Sequence, residues 1–135
     1  MASNILVDSN VFIGLLRTGQ DPAQVLRNWT GKRDLATCGM VRLEVLRGIH
    51  SPKLFSRVST FMDVMVEVPT DPDLWTEATD LAWKLNRKGW VIPATDLVIA
   101  ACALRIHAVV LTSDAHFQQI AGLRVLAPPP DWFAP

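Results

Sequence analysis

Short apolar runs alternate along this chain with stretches of helical spacing, and that alternation constrains the fold more than any other feature. Ile5-Leu6-Val7, Leu35-Ala36-Thr37-Cys38, Val66-Glu67-Val68, Val109-Val110-Leu111 and Leu123-Arg124-Val125-Leu126 read as short strands. The helices between them announce their starts. Asp21-Pro22, Ser51-Pro52 and Asp71-Pro72 each place a side-chain acceptor before a proline, the order of an N-cap followed by a first helical residue. The spacing predicts helices over residues 11–17, 22 to about 31, 39–48, from 52 onward, 72 to about 88, 97–106 and 115–120. Strands alternating with helices predict an α/β/α sandwich with a central, mainly parallel sheet. Sheets of that kind place ligand sites outside the carboxyl ends of their strands.

The stripes that should face the core follow from the same spacing. Leu54, Phe55, Val58, Phe61, Met62 and Met65 form one, and Leu74, Trp75, Ala78, Leu81, Ala82 and Leu85 another. At 135 residues, half of them hydrophobic, the chain reads as one domain over 1–135, closed by a Pro-rich tail over 128–135. Trp132 and Phe133 in that tail are expected to dock on the surface or on a partner.

Charge narrows the function classes. Thirteen Lys and Arg balance thirteen Asp and Glu. The chain therefore lacks the overall basicity of a simple nucleic-acid binder, although a local basic groove is compatible with a neutral total. No basic flank precedes a long apolar stretch, and no run of about 18 apolar residues is present, so neither a signal peptide nor a membrane span is expected. Cys38 and Cys102 sit among apolar neighbours without a C-x-x-C, and read as buried free thiols of a cytoplasmic protein.

Four carboxylates interrupt this pattern. Asp8 directly follows an apolar strand, in Ile5-Leu6-Val7-Asp8-Ser9-Asn10-Val11-Phe12. Glu44 lies on a helix between Leu43 and Val45. Asp96 opens the almost wholly apolar helix Leu97-Val98-Ile99-Ala100-Ala101, and Asp114 closes Leu111-Thr112-Ser113. Each acid has a local explanation. Asp8 and Asp114 suit N-caps, Asp96 suits a helix dipole, and Glu44 can pair with Arg47 one turn on. The set of four does not reduce to those explanations. A parallel sandwich can bring these helix ends to one edge. Two carboxylates about 4 Å apart repel by roughly 4 kcal/mol at an effective dielectric near 20. A cluster needs protons or a cation, and oxygen ligation favours Mg²⁺ or Mn²⁺. Such an ion suits hydrolysis of a phosphodiester.

Other signals are absent. His50, His107 and His116 form no H-x-x-x-H or H-E-x-x-H, so zinc is not indicated. His116, two residues past Asp114, reads as an exposed residue within reach of a substrate phosphate. No serine-hydrolase, P-loop or dinucleotide motif occurs, and no second Asp follows Asp8 by two positions. Arg42 and Arg47 flank Glu44 and are the candidate phosphate contacts.

The segments "ILVDSNVFI", "VRLEVLRG", "IPATDLVIAACAL" and "VVLTSDAHFQQIAGLRVL" resemble, in order and spacing, a PIN-domain nuclease, and more narrowly a VapC-type toxin of a toxin–antitoxin pair. The resemblance implies an endoribonuclease dependent on Mg²⁺ or Mn²⁺. It implies Asp8 and Asp96 as the firmest metal ligands, with Glu44 and Asp114 binding directly or through water. Ser9 and Thr112 match the supporting hydroxyls. A homodimer and a small cognate antitoxin are implied as well, with RNA as the substrate. Two other readings stand beside this one. The first is a non-catalytic interaction module whose acidic pocket binds a basic partner segment. The second is a DNA or flap nuclease, disfavoured by the absence of added nucleic-acid elements.

Overall fold

The computed structural model describes residues 4–31 and 33–133. Five strands form one parallel sheet: β1 (Asn4–Val7), β2 (Asp34–Cys38), β3 (Val66–Val68), β4 (Val109–Leu111) and β5 (Arg124–Leu126). Their order is β3-β2-β1-β4-β5. The six α-helices are α1 (Ser9–Arg17), α2 (Pro22–Thr30), α3 (Gly39–Leu46), α4 (Pro52–Asp63), α5 (Pro72–Arg87) and α6 (Ala94–Arg105). Residues Ala115–Gln119 and Pro130–Phe133 form short 3₁₀ turns. The expected α/β/α sandwich is the observed one.

The strand order matters more than the layer count. From β1 the chain winds outward through β2 to β3, then returns to the other side of β1 for β4 and β5. The direction of winding reverses between β1 and β4. Their pairing is Ile5 with Val109, Leu6 with Val110 and Val7 with Leu111, and the Asp8 amide extends it by donating to the Leu111 carbonyl at 2.9 Å. A parallel sheet cannot fill the space above such a reversal with a crossover, so a crevice opens at the carboxyl ends of β1 and β4.

The prolines and acceptors work as read. Asp21 accepts from the Ala23 amide, Ser51 from Leu54 and Asp71 from Leu74. Removing such a cap costs about 1 kcal/mol. The core is built from Ile5, Leu6 and Val7 of β1, Phe12 and Leu15 of α1, and the buried run Leu97–Ala103 of α6. Cys38, at the end of β2, and Cys102, in α6, are both buried and free.

Three expectations need correction. The stretch 115–120 is a 3₁₀ turn, not an α-helix, because Ile120 leaves helical conformation at once. Trp75 is 49% exposed although its neighbour Leu74 is fully buried. It sits one residue, or about 100°, off the line of Leu74, Ala78, Leu81 and Leu85. Phe55, in the first turn of α4, is also exposed, although it shares helical spacing with Val58 and Met62. The tail docks on its own chain. Trp132 meets the Trp29 ring edge-on with centroids 5.4 Å apart, and the Gln20 side chain donates to the Trp132 carbonyl at 2.6 Å. Phe133 lies so close over Gly14 that a Cβ there would fall 2.6 Å from the ring. Among the described residues, no helix is long and apolar enough to cross a membrane.

Candidate active site

Asp8 stands at the crevice between β1 and β4. It is the N-cap of α1, and the Ser9 amide donates to its Oδ1 at 2.8 Å. Its other oxygen accepts from the Thr112 hydroxyl at 2.8 Å, across from the end of β4. The carboxyl group is only 2% exposed. Burial raises its pKa to about 6, against the lowering effect of the Thr112 and Ser9 hydrogen bonds; the nearby charges of Asp96 and Glu44 raise it further.

The hydroxyls act as joints. Ser9 Oγ lies 3.0 Å from Glu44 Oε1 and 3.5 Å from Asp8 Oδ1, so it links α1 to α3. Thr112 Oγ1 donates to Asp8 and accepts from the Asp114 amide at 2.9 Å. It also accepts from the Asn10 side-chain amide at 3.1 Å, while Asn10 Oδ1 accepts from the Ser113 amide at 3.4 Å. The polar triplet Asp8-Ser9-Asn10 thus divides its work: Asp8 caps, Ser9 reaches α3, and Asn10 holds the loop after β4.

Asp96 and Asp114 complete the set from the far side. Asp96 lies in the first turn of α6, and burial raises its pKa, with Asp114 and Glu44 adding to the rise and a His116 hydrogen bond opposing it. Asp114 caps the 3₁₀ turn by accepting from the His116 amide at 2.9 Å. The His116 ring folds back over both acids: Nδ1 is 3.1 Å from Asp114 and 3.4 Å from Asp96. One ligand atom from each of Asp96, Asp114 and His116 fits within 4.8 Å of the others.

All four acids therefore gather at one edge of the sheet, from β1, α3, α6 and the loop after β4. Among the described residues, none of them forms an ion pair with Lys or Arg. Glu44 does not pair with Arg47 and turns to Ser9 instead. One buried and three half-buried carboxylates that repel one another, with no Lys or Arg paired to them among the described residues, match the chemistry of a hard divalent cation. The donor set fits a metal ion.

The two flanking arginines part company. Arg42 is held by Asp63 at 2.6 Å, with Glu67 at 3.8 Å, on the side of α4 and β3. Arg47 is exposed and lines a groove of about 590 Å³ that runs from Glu44 between α1 and α4, with Leu16, Arg17, His50 and Leu54. Asn10 and the ring of His116 are the site residues that reading the chain left without these roles. Their one-dimensional signal was spacing: each follows an acid by two positions, though only His116 turns back to its own acid, while Asn10 reaches across to Thr112 and Ser113.

The family model of the PIN domain matches residues 5–123. The chain belongs to the PIN domain family. This is a nuclease family whose members use divalent metal ions. The fold is also that of solved toxin–antitoxin complexes. A chain of VapBC2 from Rickettsia felis, bound to a promoter DNA fragment, has a TM-score of 0.76 at 19% identity, covering 92% of this chain and 98% of that one. VapBC from Salmonella typhimurium, bound to DNA, gives 0.76 at 20% identity, covering 94% and 98%. VapBC-1 from nontypeable Haemophilus influenzae gives 0.72 at 20% identity, covering 97% and 99%. The comparison with curated protein sequences gave no match. The matched span takes in Asp8, Glu44, Asp96 and Asp114.

Proposed function

We propose that this PIN protein is an endoribonuclease dependent on Mg²⁺ or Mn²⁺, and the toxin half of a type II toxin–antitoxin pair in the cytoplasm. The observation that carries the reading is the convergence of Asp8, Glu44, Asp96 and Asp114 with no Lys or Arg paired to them among the described residues. Asp8 and Asp96 are the principal ligands, being the two whose burial most disfavours an unpaired charge. Glu44 and Asp114 bind directly or through water. A divalent ion held there supplies an activated water and stabilises charge on a phosphate oxygen. The chain's own residues fix the geometry. Thr112 and Ser9 hold the two oxygens of Asp8 in place, Ser9 ties Glu44 to it, and Asn10 keeps the Thr112–Asp114 loop against α1. Arg47, exposed beside Glu44, is placed to meet an RNA phosphate, whereas Arg42 is occupied by Asp63.

The same geometry supports an antitoxin. The groove beside Glu44 has apolar walls from Ile13, Leu16 and Leu54, and reaches the acid cluster at Glu44. A partner segment with apolar side chains and a basic residue would complement both features. The neighbours of known structure are toxin–antitoxin complexes, which favours a partner of this class. Trp75, Trp83, Trp90 and Val91, exposed on α5 and the turn after it, support a homodimer. The interaction-module reading loses part of its motive, because the Trp132-Phe133 tail is already spent on α1 and Trp29.

The test is brief induced expression followed by sequencing of RNA ends. New ends at defined positions, absent with Asp96→Asn, are expected. Equal RNA ends with Asp96→Asn and wild type, from proteins of equal abundance, would refute the assignment. Purified protein with matched RNA and DNA substrates at one salt concentration separates the RNA from the DNA reading.

A further inference from the structure

The four acids supply only oxygen, yet the structure sets a nitrogen among them. His116 Nδ1 lies 3.1 Å from Asp114 Oδ1 and 3.4 Å from Asp96 Oδ2, and among the described residues these three bring their ligand atoms within 4.8 Å of one another. The backbone brings the ring within reach of both acids. Asp114 caps the 3₁₀ turn by accepting from the His116 amide at 2.9 Å, which fixes where the side chain leaves the chain. The ring packs over the acids from the solvent side, with about half its surface exposed, so it needs no displacement of core to turn a nitrogen inward.

Resting on the proposed metal site, we infer that His116 is a metal ligand, and that it makes this site a mixed nitrogen–oxygen donor set selecting Mn²⁺ and other first-row transition ions over Mg²⁺. The chemistry follows from donor softness. Carboxylate oxygens bind Mg²⁺ and Mn²⁺ alike, whereas imidazole adds affinity for transition ions and little for Mg²⁺. The geometry also explains an otherwise odd placement. Without a cation, His116 is one neutral or singly charged ring facing two carboxylates. With one, His116 would join Asp96 and Asp114 as a third ligand. His50 is on the groove wall and His107 is at the far end of α6, so neither competes for the role.

The test is titration of metal-free protein with Mn²⁺ and with Mg²⁺ by calorimetry, for wild type, His116→Gln and Asp96→Asn, joined to pulsed electron paramagnetic resonance of the Mn²⁺ complexes. Wild type should show the nuclear modulation of a directly bound imidazole nitrogen, and His116→Gln should lose it. The Mn²⁺ dissociation constant should rise about tenfold in His116→Gln while that for Mg²⁺ stays within about twofold. Asp96→Asn should weaken both ions together. If Mn²⁺ binds, Asp96→Asn abolishes binding, and no imidazole modulation appears in wild type, the inference on His116 fails and the metal site stands. If wild type binds neither ion, the metal-site reading itself fails.

Discussion

Asp8 and Asp71 do the same local job in opposite surroundings. Each is itself extended, caps the helix that comes next, and accepts from a backbone amide of its first turn. Asp71 also faces the Arg105 guanidinium at 2.9 Å, and Arg105 reaches Glu77 at 3.4 Å. Its pKa is lowered, chiefly by the Arg105 hydrogen bond. Asp8 has no cation, lies buried among other acids, and is pushed up to about 6. The α5–α6 junction is thus a closed electrostatic account, with donors matched to acceptors. The β1–β4 crevice is left open. The comparison teaches that capping explains where an acid sits in the chain, and that only the uncompensated acid has capacity left for a ligand.

The sharpest way to break this comparison is to neutralise one acid in each region. Asp96→Asn should lower RNA cleavage by about 10²–10³-fold, the range for losing a principal electrostatic group of a site. Asp71→Asn should leave cleavage within about twofold of wild type, since Asp71 pairs with Arg105 and contributes nothing to the four-acid cluster. Comparable losses in both, at equal folded fractions, would show that the two regions do not differ in the way argued.

Asp8 gives a pH-dependent version. Its folded pKa of about 6 lies above its ordinary 3.8. Ionising it in the fold therefore costs stability, and that cost grows from about pH 4 and is complete above about pH 6. In metal-free protein, Asp8→Asn should match wild type near pH 4. Above pH 6.5 it should be the more stable by roughly 1 kcal/mol, a few degrees in Tm, after allowance for the acceptor that asparagine lacks. Metal binding to wild type should weaken as pH falls through about 6, because a proton competes for the same oxygen. Thermal melts of both proteins from pH 4 to 8 check the first claim, and Mn²⁺ titrations at pH 5.5 and 7.5 check the second. Asp71 has the opposite sign: its lowered pKa lends stability above about pH 3.8 that is lost only in stronger acid.

Arg105→Ala gives the smallest effect. Exposed ion pairs contribute little, so Tm should fall by no more than about 3 °C. Mn²⁺ affinity should be unchanged, because Arg105 stands at the C-terminal end of α6 and Asp96 at its start. A loss of metal binding in this variant would mean that the junction positions α6 for the site.

Much of this was legible along the chain. The strands are short apolar runs bounded by polar residues, and the helices after Asp21, Ser51 and Asp71 begin where an acceptor precedes a proline. These features are local, so local chemistry predicts them. Asp8, Glu44, Asp96 and Asp114 stood out for a related reason: an acid beside buried residues conflicts with its own neighbourhood. What could not be read was direction. Glu44 had Arg47 one turn away and chose Ser9, which is 35 residues distant in sequence. Arg42 and Arg47 looked equivalent, yet Asp63 holds one and the groove leaves the other free. Trp75 shared a helix with a buried stripe and still fell outside it, because a 100° step decides which face a side chain takes.

By itself the sequence determined the elements, their caps, the four acids and their order, because each depends on residues within one helical turn or one strand. The tertiary structure alone decided that the winding reverses between β1 and β4. It decided too that Thr112 and Ser9 bridge to Asp8 and Glu44, and that His116 turns back over Asp96 and Asp114. Those are contacts between residues distant along the chain, or turns of a ring set by its surroundings. Their energies depend on burial and on which charges face one another, and neither quantity exists until the sheet has closed.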